Sequence, residues 1–240
     1  YNTRVATATE DTTGVSVTFG PESFLESNRY DRLIVGGYRH PNTAGLGLEN
    51  TAVTVDINGF IECNDRQQTA DNRIFGAGDV TSTPMLANKA TREGEVAAEA
   101  ASGKITSFDV RVMPKVIYTI PQISWCGLTA EEAEAAEINS SVQSFPWKDS
   151  PRAVITGETH GLTKLLLAPE TGRLLGGGIV GRHSSELIGE IALAIEMGCL
   201  AEDLALTLHP HPTFSETMAG AAKVNARQLE TRDNKNGSKT

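Results

Sequence analysis

Cysteine is scarce in this sequence: only Cys63, Cys126 and Cys199. They lie far apart, are odd in number, and form neither a CxxC or CxxxxC redox pair nor a zinc-ligand spacing. That excludes a disulfide scaffold, and the three read as reduced, mostly buried thiols in a reducing compartment. Long apolar runs are missing too; none approaches the roughly 20 residues of a membrane-spanning helix. Basic charge is outnumbered: 21 Lys and Arg stand against 30 Asp and Glu, for a formal net charge of −9. Such a surface argues against nucleic acid as the main partner, because phosphate binding needs clustered Lys and Arg. The opening Tyr1-Asn2-Thr3-Arg4 is not a signal peptide and has no starting Met, so targeting information is expected to have been cut away. No internal repeat is visible.

What is present is an ordinary soluble composition, 39% hydrophobic and 21% charged over 240 residues. That is enough chain for one large domain or two modest ones. Residues 1–35 read as short strands: Val15–Phe19 alternates apolar and polar side chains, and Arg32–Val35 is a short apolar strand. A Pro-, Asn- and Gly-rich loop follows at residues 41–47. Val53–Ile57 and Phe60–Glu62 flank Asn58-Gly59, a pair that suits a type I′ hairpin turn. Arg73–Val80 reads as a strand entering a glycine turn. Residues 85–102 read as a helix with a small-residue packing face of Ala87, Ala90, Gly94, Ala97, Ala98 and Ala101.

A second unit begins near Val110. Strands are expected at 116–119, 123–126, 162–167 and 174–181. Thr129 with Glu132 has the spacing of a capping box. Residues 184–197 form an amphipathic helix with Leu187, Ile191, Ala194 and Ile195 on one stripe. A short helix starts at Ala201, and a last helix runs from about 215 to 229. Strands and helices come in blocks rather than strict alternation, so this unit is α+β, an antiparallel sheet covered by helices. Gly176-Gly177-Gly178 is followed by no GK[ST] and reads as strand glycines that permit close packing.

Two segments could carry chemistry. In Gly76-Ala77-Gly78-Asp79-Val80, small residues let a ligand approach the backbone, and the Asp79 carboxylate can accept hydrogen bonds from sugar-type hydroxyls. The same residues could equally form a tight turn with Asp79 as a helix cap. In Leu208-His209-Pro210-His211-Pro212-Thr213-Phe214-Ser215-Glu216, two prolines stiffen the backbone around two histidines. A carboxylate on one ring nitrogen of His211 would fix its tautomer and leave the other as a base, which is half of a catalytic triad. The alternatives are a structural His–Glu cap, or a metal site using His209 and His211, for which no third ligand is evident. His160 and His183 sit alone in polar loops.

Together these segments resemble the pyridine nucleotide–disulfide oxidoreductases. Tyr38-Arg39-His40-Pro41-Asn42-Thr43 is similar to the family's loop after the NAD domain, and Arg73–Val80 to its second flavin motif. Met85-Leu86-Ala87-Asn88-Lys89-Ala90 is similar to the segment beside the flavin. Met113-Pro114 through Thr129 resembles the opening of the interface domain. His209–Glu216 resembles the family's H-x-H-P-T-x-x-E, in the form of its dihydrolipoamide dehydrogenase branch. Two positions depart from the pattern: Tyr38 stands where Gly is usual, and Asn88 where His is usual, so the turn at the first and the role of the second are not carried over.

The resemblance covers roughly residues 1–230. It implies the end of an NAD-binding domain at 1–35, a returning segment of the FAD domain at 36–109 and an interface or dimerisation domain at 110–230; the polar composition of the tail at 231–240 makes it an expected disordered segment. The resemblance implies FAD and NAD as cofactors, with Gly78, Asp79, Met85, Leu86 and Ala87 at the flavin. It implies His211 as the acid–base residue toward a dithiol and Glu216 as its orienter; with no third ligand evident, no metal is expected. The partners the resemblance implies are a second copy, whose disulfide the His serves, and lipoyl domains of 2-oxo acid dehydrogenase complexes or the glycine cleavage system. The expected compartment is a bacterial cytoplasm or a mitochondrial matrix. The family's N-terminal glycine motif for FAD and its CxxxxC are not found, so this stretch is expected to be a C-terminal half that is inactive alone. The competing readings are a non-catalytic dimerisation module and another disulfide reductase of the same family.

Overall fold

The computed structural model describes residues 3–22, 24 and 26–223. The expected tail at 231–240, and residues 224–229 of the expected last helix, lie outside the described residues. The chain divides into two compact units, Tyr1–Asn42 and Thr43–Thr240.

The first unit is a three-stranded antiparallel sheet in the order β1 (Val5–Asp11), β2 (Gly14–Phe19), β3 (Ser27–Tyr30). Val15 and Val17 on the central strand are buried while Ser16 between them is exposed, as the alternation predicts. The strand expected at Arg32–Val35 does not form. It has no ladder partner among the described residues, and Ile34 and Val35 are exposed.

In the second unit, Val55 bridges Ile61 across the expected hairpin, but the turn is not type I′. The Asp56 carboxylate accepts from the amides of Asn58 and Phe60, both at 2.8 Å, and only Gly59 takes a positive φ, of 89°. The aspartate holds an Asx turn, which overrides the Asn-Gly preference. Arg73–Val80 is not a full strand either; its ladder is a single bridge from Phe75 to Gln68, followed by a 3-10 turn at Gly78–Val80.

Helix α1 (Ala87–Ala101) forms where expected, but on a different face. Its buried residues are Lys89, Glu93, Val96 and Ala100, whereas Ala87, Ala98 and Ala101 are exposed. A charged pair, not a stripe of small residues, faces inward.

From Lys115 onward the unit is an antiparallel five-stranded sheet in the order β4 (Lys115–Ile117), β5 (Ile123–Gly127), β8 (Leu174–Val180), β7 (Leu162–Leu167), β6 (Ser141–Pro146). Short helices α2 (Ala130–Ala135) and α3 (Pro151–Thr156) lie in the connections. The α+β reading therefore holds. The Thr129 capping box forms with both bonds: its hydroxyl accepts from the Glu132 amide at 3.1 Å, and the Glu132 carboxylate accepts from the Thr129 amide at 2.8 Å.

Helix α4 (Ser184–Glu196) packs on β5 and β8 through Ile188, Ile191 and Ala194, with Leu187 and Ile195 at the margin. The β8 glycines make the close approach possible: a Cβ at Gly177 would lie 2.9 Å from Ile191. Helix α5 (Ala201–Leu206) follows, and residues 216–223 are helical. Trp147, fully buried, stacks on Phe214 with ring centroids 4.6 Å apart and donates from Nε1 to Thr163 Oγ1 at 3.0 Å. Thr163 and Thr217 hydroxyls meet at 2.8 Å. These contacts tie the last helix, and the loop before it, to the sheet.

Candidate functional site

The loop between α5 and the last helix carries the histidines. Leu204 and Phe214 are buried, but residues 206–208, 210 and 211 between them are exposed. Glu216 lies in the first turn of the last helix and divides its carboxylate. Oε2 accepts from the Thr213 amide at 2.8 Å, and Oε1 meets His211 Nδ1 at 2.9 Å. Burial pushes the Glu216 carboxyl up, but the Thr213 amide, the His211 hydrogen bond, and electrostatic attraction toward the His211 and His209 rings together bring it below its ordinary value of 4.5. An ionised carboxylate on Nδ1 makes that nitrogen the donor and leaves Nε2 of His211 as the acceptor. The His211 side chain is 66% exposed, so Nε2 can be reached by a reactant. The Thr213 hydroxyl donates to the Pro210 carbonyl at 2.7 Å and braces the same turn.

His209 is held differently. Its side chain is 6% exposed, Nδ1 lies 3.1 Å from the Thr207 carbonyl, and Nε2 lies 2.7 Å from Oε1 of Glu190 on α4. The two rings thus engage separate carboxylates, rather than turning together as extended i, i+2 side chains would. Among the described residues, no group of three or more His, Cys, Asp or Glu is placed to hold a metal ion.

The glycine turn forms a second site. Gly78 has φ 85°, a conformation that favours glycine, and a Cβ there would meet Ala90 Cβ at 3.1 Å. The turn therefore packs on the start of α1, the helix that begins at Ala87. Asp79 and Ala87 are exposed; Met85 and Leu86 are half-buried. The turn is fastened from inside by Glu93, whose Oε2 accepts from the Gly78 amide at 2.7 Å. Lys89 Nζ lies 2.8 Å from Glu93 Oε1 and also reaches the Ser82 carbonyl at 3.3 Å. A backbone turn with an outward carboxylate, beside a helix N-terminus, suits a hydroxyl- and phosphate-bearing cofactor. Lys89, Glu93 and Glu190 join these sites beyond the residues expected from the sequence. A signal existed for the first two, which are i, i+4 on one helix face. None existed for Glu190, whose partner is far along the chain.

The described helices include none long and apolar enough to cross a membrane. The family model described as "Pyridine nucleotide-disulphide oxidoreductase" matches residues 1–94, and the one described as "Pyridine nucleotide-disulphide oxidoreductase, dimerisation domain" matches residues 113–222. A dihydrolipoyl dehydrogenase of Vibrio cholerae is 46% identical over 205 residues, 85% of this chain and 43% of that protein. One from Thermus scotoductus is 46% identical over 198 residues, 82% of this chain and 43% of that protein. The crystal structure of LpdA from Mycobacterium tuberculosis superposes with a TM-score of 0.84 at 27% identity, over 92% of this chain and 48% of that one. The chain thus spans less than half the length of these relatives. With both models matching in order, and this depth of identity to dihydrolipoyl dehydrogenases, the chain belongs to the pyridine nucleotide-disulphide oxidoreductase family.

Proposed function

We propose that this chain is the C-terminal part of a flavin-dependent dihydrolipoyl dehydrogenase, which oxidises protein-bound dihydrolipoamide and reduces NAD. The observation that carries the reading is the His211–Glu216 pair, with Nδ1 bound at 2.9 Å and the ring exposed. Only a thiolate attacks a disulfide, and a free dithiol is mostly protonated at neutral pH. Nε2 of His211 takes the proton of one dihydrolipoamide thiol, and Glu216 stabilises the imidazolium that results. The thiolate forms a mixed disulfide with one sulfur of a protein disulfide and releases the other as a thiolate. The second dihydrolipoamide thiol gives its proton to that released thiolate, attacks the mixed disulfide to close the lipoamide ring, and leaves the other protein sulfur as a thiolate beside the His211 imidazolium. In the family that disulfide belongs to the other subunit, so the reading includes a homodimer.

Gly78, Asp79, Met85, Leu86 and Ala87 would hold FAD, with Asp79 accepting from its ribityl hydroxyls. Bound flavin would supply the two-electron relay between the protein dithiol and NAD. Residues 1–35 would end the NAD domain, 36–109 would return to the FAD domain, and 110–230 would form the dimer interface. Lipoyl domains of 2-oxo acid dehydrogenase complexes or of the glycine cleavage system are the matching partners. The test is NAD reduction by the full-length protein with dihydrolipoamide, compared with reduced glutathione. NADH formation with dihydrolipoamide alone supports the reading; preference for glutathione would move the protein to another reductase of the family.

A further inference from the structure

We propose that Glu190 is a positioning residue for His211, acting through His209. The inference rests on the reading of His211 as the acid–base group.

The loop that presents His211 has little apolar hold of its own. Between the buried Leu204 and Phe214, residues 206–208, 210 and 211 are exposed, and Leu208 is 97% exposed. The His209 ring, with its side chain 6% exposed, is the point at which this stretch returns to the body of the domain. Its partner, Glu190, projects from α4, whose other face is fixed on the sheet by Ile188, Ile191 and Ala194. The anchor is therefore rigid on one side.

Both ring nitrogens of His209 are engaged. The Thr207 carbonyl can only accept, so His209 Nδ1 carries a proton and donates to it at 3.1 Å. Nε2 and Glu190 Oε1, 2.7 Å apart, share another. With both ring nitrogens engaged and the side chain buried, His209 is not available as a base. What it does is fix the chain one residue before Pro210, whose ring locks φ, and two before His211. On the far side, the Thr213 hydroxyl holds the Pro210 carbonyl, and Glu216 holds the His211 ring. Glu216 sets the ring; Glu190 sets the position of the backbone that carries it. Misplacing a catalytic group by about 1 Å can cost on the order of 100-fold in rate.

The experiment uses the full-length, flavin-loaded protein with Glu190→Ala, Glu190→Asp and Glu190→Gln, each alone and combined with His211→Gln. Two activities are read: dihydrolipoamide oxidation, and NADH-driven reduction of ferricyanide, which needs flavin and NADH but no dithiol deprotonation. Glu190→Ala and Glu190→Asp should lower kcat for dihydrolipoamide by about 10- to 100-fold with ferricyanide reduction unchanged. Glu190→Gln should recover to within a few-fold, because its carboxamide can donate to Nε2 of a neutral His209. In the His211→Gln background, Glu190→Ala should cost nothing more. Wild-type dithiol turnover in both Glu190→Ala and Glu190→Asp would overturn the proposal, as would an undiminished loss on top of His211→Gln, or a parallel fall in ferricyanide reduction in Glu190→Asp. If instead His211→Gln itself keeps full dithiol turnover, the acid–base reading has failed; if it loses turnover while the Glu190 variants do not, only the present inference has.

Discussion

Lys89 and Glu93, one turn apart on α1, face each other at 2.8 Å with both side chains only 3% exposed. Glu93 also takes the Gly78 amide at 2.7 Å, so the pair links the helix to the turn that carries Asp79. Removing one partner leaves a buried charge uncompensated, which costs about 3–5 kcal/mol. Lys89→Met should therefore lower the urea midpoint strongly. Lys89→Met combined with Glu93→Gln should recover part of the loss, since no charge remains and the Gln carbonyl still accepts from Gly78. Equal midpoints for Lys89→Met and the wild type would contradict this.

Composition alone hid that pair. The small residues along α1 point to a close-packing face, but the interior of this region contains the Gly78 amide and the Ser82 carbonyl, which need a carboxylate and an ammonium as partners. Local signals fared better where the physics is local. The Thr129–Glu132 capping box, the β7 and β8 strands and α5 each follow from residues within a few positions of one another. The His211–Glu216 pair was readable for the same reason, being five residues apart across one helix start. Glu190–His209 spans 19 residues and depends on how α4 packs, so nothing in the pattern announces it. Arg32–Val35 forms no strand because an apolar run becomes one only beside a ladder partner.

The depressed Glu216 carboxyl links this site to pH. A carboxyl held below its unfolded value contributes stability that is complete above that value and lost as pH falls through the lower folded one. The gap in unfolding free energy between wild type and Glu216→Gln should thus be steady at neutral pH and shrink as pH drops below about 4.5. Denaturant titrations from pH 7 to pH 3 measure it; a gap that widens in acid would contradict the assignment.

Burial pushes the Cys126 thiol up to about 12, and the residue is 1% exposed. A thiol reagent at pH 8 should leave Cys126 unmodified in the folded protein and label it in urea, as followed by peptide mass. Rapid labelling of Cys126 in the native state would mean that β5 is not packed as described.

The central claim is that His211 moves the dithiol proton. Its most direct test is His211→Gln in the full-length, flavin-loaded protein, assayed for both dihydrolipoamide oxidation and NADH-driven ferricyanide reduction. The account predicts a fall of about 10²–10⁴-fold in the first with the second preserved. Dithiol oxidation within a few-fold of wild type, in a variant with normal flavin content, would contradict it.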